Sequence, residues 1–141
     1  MAPFLLDANV LIALAWPEHD FHERAGRWFA RHSQSGWATC PFTQAALVRV
    51  LSSPAFSANA LTPDGALGVL ESNLNLPGHR FWPDSISFPD ALKNTGLRLT
   101  GHQQIADAYL VGLAIHHRGR LASFDTGIAA WGTAGAVELI G

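Results

Sequence analysis

"PFLLDANVLIAL", running from Pro3 to Leu14, sets a single carboxylate, Asp7, in the middle of an otherwise apolar stretch. An ionised acid in a buried run needs something to hold it there. Phe4-Leu5-Leu6 is too brief for a helix of its own and reads as a strand. Ala8 to Ala15 reads as a helix, stopped before Trp16-Pro17 because the residue ahead of a proline is driven out of the helical region. Asp7 is then either the N-cap of that helix or a carboxylate at the tip of a central strand, placed to meet a cation.

Working outward, the same alternation of short apolar strand and helix repeats. From Asp20 onward, Phe21, Ala25, Trp28 and Phe29 recur at helical spacing, and Gly36 ends that helix. "WATC" (Trp37 to Cys40) predicts a buried strand, and Pro41 to Leu51 a helix closed by "SSP". Thr62-Pro63 is a helix start, with Thr as N-cap and Pro in the first helical position, and this helix should run to about Asn75. "HRFW" predicts a short strand, followed by a helix from about Pro89 to Arg98 and a stronger one from Gln103 to His117. Strands are expected at Arg120 to Phe124 and Val137 to Ile140. Short strands alternating with helices predict an α/β fold: a three-layer α/β/α sandwich on a mainly parallel sheet, as one domain over residues 1–141.

Composition narrows the function classes. With 48% hydrophobic and 14% charged residues, the 141-residue chain has the makings of a proper core. A formal charge of -2 provides no global basic field, so binding to nucleic acid would depend on local patches or metal ions. Cys40 is the only cysteine, which excludes an internal disulfide and a cysteine-based zinc site. The start "MAPFLLDANV" lacks the pattern of a secretory leader, and no apolar run is long enough to span a bilayer. The expected location is the cytoplasm, with no membrane partner.

Three acids fall where such a sheet gathers ligands, beyond the carboxyl ends of its strands. Asp7 follows the first strand, Asp125 follows "RLASF", and Asp107 lies early in the helix before that strand, in "QQIADAYL". Each has an ordinary explanation: a cap, a favourable charge at a helix start, a turn residue. As a set they form a carboxylate cluster, whose mutual repulsion a cation would offset. Hard oxygen donors suit Mg²⁺ or Mn²⁺.

On "LLDANVLIAL", "ATCPFTQAALVRVLSSP" and "HQQIADAYLVGLAIHHRGRLASFD", in that order and at that spacing, the chain resembles the PIN-domain ribonucleases, specifically the VapC-type toxins of toxin–antitoxin pairs. The resemblance implies Mg²⁺- or Mn²⁺-dependent cleavage of RNA. It carries the metal-binding acids onto Asp7, Asp107 and Asp125, and a supporting polar role onto Asn9, with Thr126 or Ser123 as further helpers. It also implies a homodimer and a small antitoxin protein as partner. One departure stands out: many PIN domains carry a Glu early in the helix after the second strand, where this chain has Thr43-Gln44. Gln44 is neutral but can still orient water or coordinate through its carbonyl. The departure leaves open a PIN-fold module that binds RNA or protein without cutting.

Other features are weighed against plainer readings. His19 and His22 have no third soft ligand nearby, and His116-His117 reads as a helix end. Arg24, Arg27 and Arg31 share a helix face that is either simply solvated or a phosphate-tracking stripe; Arg49, Arg118 and Arg120 are alternatives. Trp16, Trp28, Trp37, Trp82 and Trp131 read as core or interface before base-stacking platforms. An aspartyl-phosphate enzyme or receiver domain would need a well-placed lysine, and the single lysine, Lys93, sits inside a predicted helix.

Overall fold

In the computed structural model, residues 2–130 and 135–141 are described; Trp131 lies outside them. Five strands, β1 (Phe4–Leu6), β2 (Trp37–Thr39), β3 (His79–Phe81), β4 (Arg120–Ser123) and β5 (Val137–Leu139), form one parallel sheet in the order β3-β2-β1-β4-β5. All residues of β1 and β2 are buried, while the edge strands β3 and β5 are mostly not. This gradient is why the central strands read as unbroken apolar triplets: both faces of a parallel sheet are covered.

The helices are α1 (Ala8–Ala15), α2 (His22–His32), α3 (Pro41–Leu51), α4 (Pro63–Leu74), α5 (Phe88–Thr95), α6 (Ile105–His116) and the short α7 (Thr126–Ala129). Strand alternation sorts them into two layers. Phe4 and Leu6 point to one face, with Val10 of α1, Trp28 of α2, Leu47 of α3 and Leu70 of α4. Leu5, Ala38 and Leu121 point to the other, against Leu110, Val111 and Leu113 of α6. Fully burying each such Leu is worth roughly 1.5–3 kcal/mol. The expected three-layer sandwich is the observed one.

Local chemistry sets the ends. Thr62 accepts the Gly65 amide at 3.0 Å and Ser87 that of Asp90 at 3.3 Å, each capping a helix that has Pro in its first turn. The expectation that α5 reaches Arg98 is corrected: it stops at Thr95, because Gly96 turns left-handed at φ 66° and closes the helix. Helix α6 begins at Ile105 rather than Gln103, after a single 3₁₀ turn over His102–Gln104. Gly112 lets α6 approach α5 closely, since a Cβ there would meet the backbone carbonyl of Ala91.

The chain order places the switch point between β1 and β4: β1 leads to β2 and β3 on one side, while β4 and β5 lie on the other. At such a point the helices that follow adjacent strands leave in opposite directions and open a crevice at the carboxyl ends. Asp7 ends β1 and Asp125 follows β4.

Candidate active site

The crevice is organised by Ser123, the last residue of β4 and fully buried. Its Oγ lies 2.7 Å from Asp7 Oδ2, 3.0 Å from the Asp125 amide nitrogen and 3.3 Å from Asn9 Nδ2. A hydroxyl has one hydrogen to give and two lone pairs. The Asp125 and Asn9 groups are both N–H donors, so the hydroxyl hydrogen goes to Asp7. One serine thus fixes the Asp7 carboxylate, the Asn9 amide and the backbone entering Asp125.

Asp7 is only 7% exposed. Its Oδ1 accepts the Ala8 amide at 2.8 Å, so the capping reading holds together with the site reading. Burial pushes its pKa up, the Ser123 hydroxyl and Ala8 amide pull against that, and the Asp125 charge adds to the rise. Asp107 projects from the first turn of α6. Its pKa is raised to about 6, first by burial and then by the charges of Asp7 and Asp125. Asp125 is exposed and caps α7, its Oδ1 accepting the Gly127 amide at 2.8 Å and the Ile128 amide at 3.4 Å.

The three acids therefore share one electrostatic neighbourhood, with Asp107 at its centre. It borders two concavities, one shared with Asp7 and α3, the other with Asp125 and Gln104. As the side chains lie, no three Asp, Glu, His or Cys groups among the described residues converge tightly enough to hold one ion. The donor set nevertheless fits a hard divalent cation: neighbouring carboxylates, with Asp107 raised toward neutrality by burial and then by the charges of the other two, beside a buried Asn9 Oδ1 that has no hydrogen-bond partner.

Gln44 makes no hydrogen bond to the acids among the described residues. Its Nε2 donates to Thr39 Oγ1 at 2.9 Å, and that hydroxyl pairs with His79 Nε2 at 2.8 Å. Helical phase is the reason. Phe42, Ala45, Ala46 and Arg49 share the face of α3 that lines the acid crevice, and position 44 lies about 200° around the helix from position 42. Thr126, in the first turn of α7, makes no side-chain hydrogen bond among the described residues.

The remaining sequence candidates sort by environment. Arg24 donates to the Ile140 carbonyl at 3.1 Å and covers the Phe21 ring, Arg27 faces Glu23, and Arg31 lines a cavity at the amino ends of the strands. That stripe is dispersed, whereas Arg49 borders the crevice itself. His22 pairs with the Ala13 carbonyl at 2.7 Å and His19 accepts the Phe21 amide at 3.0 Å, so both close loops. His117 stacks on Trp82 with ring centres 4.6 Å apart. Trp28, Trp37 and Trp82 are core residues. Phe42, on the rim of the crevice, was legible only as one more aromatic in a helical run.

Comparison with known proteins agrees with this geometry. The PIN-domain family matches residues 4–132. The chain is 41% identical over 138 residues to ribonuclease VapC39 of Mycobacterium tuberculosis, spanning 96% of this chain and 98% of that one. It is 45% identical over 125 residues to ribonuclease VapC29 of the same organism, covering 89% and 87%. Among solved structures, a chain from the VapBC2 complex of Rickettsia felis bound to a promoter DNA fragment superposes with TM-score 0.67 over 97% of this chain and 98% of that one. Identity to it is 12%, so that likeness is one of fold. By sequence along nearly its whole length, and by the fold that brings Asp7, Asp107 and Asp125 to one switch point, the chain belongs to the PIN-domain family and, within it, to the VapC group.

Proposed function

We propose that this protein is a divalent-metal-dependent endoribonuclease, the toxin of a toxin–antitoxin pair, acting in the cytoplasm as a homodimer restrained by a small antitoxin protein. The observation that carries the chemistry is the clustering of Asp7, Asp107 and Asp125, with no cationic side chain among the groups that shift the pKa values of Asp7 and Asp107. The names of the VapC relatives, each a ribonuclease, support the substrate class. The three acids would hold Mg²⁺ or Mn²⁺, with Asn9 Oδ1 as a further oxygen. A bound ion of this kind supplies the positive charge that makes water nucleophilic and offsets charge building on the phosphate.

The chain's own groups account for the rest. Ser123, through its hydroxyl, keeps the Asp7 carboxylate oriented without competing for its charge. Asp125 is aimed by the hydrogen bond from its backbone N–H to Ser123 Oγ and by the start of α7, while the half-buried Asp107 has its pKa raised to about 6 by burial and then by the neighbouring acids. No side-chain nucleophile is needed: water attacks phosphorus and an ester oxygen leaves. The non-catalytic alternative rests on Gln44, a neutral side chain whose amide is hydrogen-bonded to Thr39.

The test is a randomised RNA pool incubated with metal-stripped protein, with and without Mn²⁺, beside Asp107→Asn. Cleavage should require the ion and fall by about 10³-fold in the variant, since ligand loss removes several kcal/mol of transition-state stabilisation. Cleavage that survives both metal removal and the substitution would defeat the reading.

A further inference from the structure

The crevice beside the acids extends along α3 as an open trough of about 540 Å³. The face of α3 that lines it reads Phe42, Ala45, Ala46, Arg49, the i, i+3, i+4, i+7 positions of one helical stripe. Side-chain size along that stripe goes from an aromatic, through two methyl groups, to a long cation. The alanines leave the floor open between Asp7 and Asp107 on one side and the helix on the other.

Both ends of the stripe present an accessible group to the trough. Phe42 is 45% exposed although two apolar cores lie close by. Arg49 is exposed and has no carboxylate partner among the described ion pairs, in contrast to Arg27, Lys93 and Arg120. Seven residues of helix separate the two by about 10.5 Å along its axis, the length of roughly two to three nucleotides of a single strand.

A phosphate chain laid beside Asp7 and Asp107 would be repelled by them, and Arg49 supplies the opposite charge in the same trough. Phe42 offers a ring face that any base can stack on. Asp and Ala are depleted from the contact surface with a second protein, whereas this trough is bordered by Asp7, Asp107, Ala45 and Ala46.

Resting on the ribonuclease reading above, we propose that the Phe42–Arg49 face of α3 is the strand platform of this enzyme: Arg49 holds a phosphate flanking the one to be cut, and Phe42 stacks a base. The site takes single-stranded RNA, with no preference for base identity built into these two contacts.

Fluorescence anisotropy with a fluorescein-labelled, randomised ten-nucleotide RNA pool, in EDTA so that nothing is cut, tests this directly. Phe42→Ala should weaken binding roughly tenfold, with Phe42→Trp at least as tight as the native chain. Arg49→Gln should weaken binding and lower the slope of log affinity against log salt by about 0.7, the loss of one phosphate contact. Unchanged affinities in Phe42→Ala and Arg49→Gln, or no binding by the native chain at low salt, would overturn the platform. So would a Phe42→Ala protein that sediments as a smaller species while binding RNA as before, which would make this face a contact between copies. The two proposals separate cleanly: RNA bound with these variant effects but never cut with Mn²⁺ defeats the ribonuclease reading alone. Cleavage with an unchanged KM in Phe42→Ala and Arg49→Gln defeats the platform alone.

Discussion

The two ends of the sheet treat charge in opposite ways. At the amino ends of β4 and β5, Arg120 lies 3.1 Å from Glu138, which also faces His32 at 3.9 Å and accepts from the Trp28 indole at 3.4 Å. Arg120 additionally donates to the Gly135 carbonyl at 2.6 Å and sits over the Phe4 ring. Glu138 there is set against Arg120 and His32, and Arg31 lines the same cavity, so the one acid lies among basic side chains. At the carboxyl ends, burial and then neighbouring carboxylates raise the pKa values of Asp7 and Asp107, and the Ser123 hydroxyl and the Ala8 amide are the compensation Asp7 has. One end sets opposite charges side by side, and the other gathers like charges. Left uncompensated, stored like-charge repulsion costs stability, so its presence marks where a ligand of opposite charge belongs.

The sharpest way to break this contrast is Ser123→Ala. The substitution strips the buried Asp7 Oδ2 of its donor and leaves the Asn9 and Asp125 N–H groups short of an acceptor. Chemical denaturation should register a loss of about 2 kcal/mol, the cost of leaving a buried polar group unpaired, together with reduced cleavage. A variant as stable as the native chain would show that Ser123 does not organise the crevice.

The next effect is pH dependence of the metal-free protein. Asp107 has a folded pKa of about 6, above its ordinary 3.8, so the neutral acid is the form the fold prefers. Its contribution to stability is fully present below pH 3.8 and is lost as pH rises through about 6. The Asp107 contribution to Tm should therefore decline over that window, and subtracting the Asp107→Asn profile should isolate it. Saturating Mn²⁺ should counter the decline, because a ligand selective for the ionised native state stabilises it by roughly 2.7 kcal/mol at a hundred times its Kd. Identical pH profiles in the two proteins would remove Asp107 from the repelling set.

The smallest effect is expected at the balanced end. Glu138→Gln keeps the shape and some hydrogen bonding of a partly exposed cluster and should cost about 1 kcal/mol or less, with cleavage unaltered. A large fall in cleavage there would mean that the amino end takes part in the reaction after all.

How much of this was legible beforehand differs element by element. The central strands were plain because burial on both faces leaves only apolar residues at Phe4 to Leu6 and Leu121 to Ala122. Helix α7 was not, because four residues hold barely one turn and no periodicity, and Asp125-Thr126-Gly127 reads equally well as a turn. Likewise, the end of α5 depended on Gly96 adopting a left-handed conformation, which the residue permits but does not require.

By itself the sequence determined the class of fold, the two core-facing patterns and the three acids, since these depend on residue type and on the local periods of strand and helix. The tertiary structure alone decided the rest. Ser123 became the hub because β1 and β4, 116 residues apart along the chain, lie side by side and present Asp7 Oδ2 to its hydroxyl. Phe42 and Arg49 border the crevice, and Gln44 is bonded to Thr39, because α3 is rotated so that its 42–45–46–49 stripe lines the crevice beside Asp7 and Asp107. Register between strands and the rotation of a packed helix are set by how two cores close over one sheet, and no single stretch of chain contains that information.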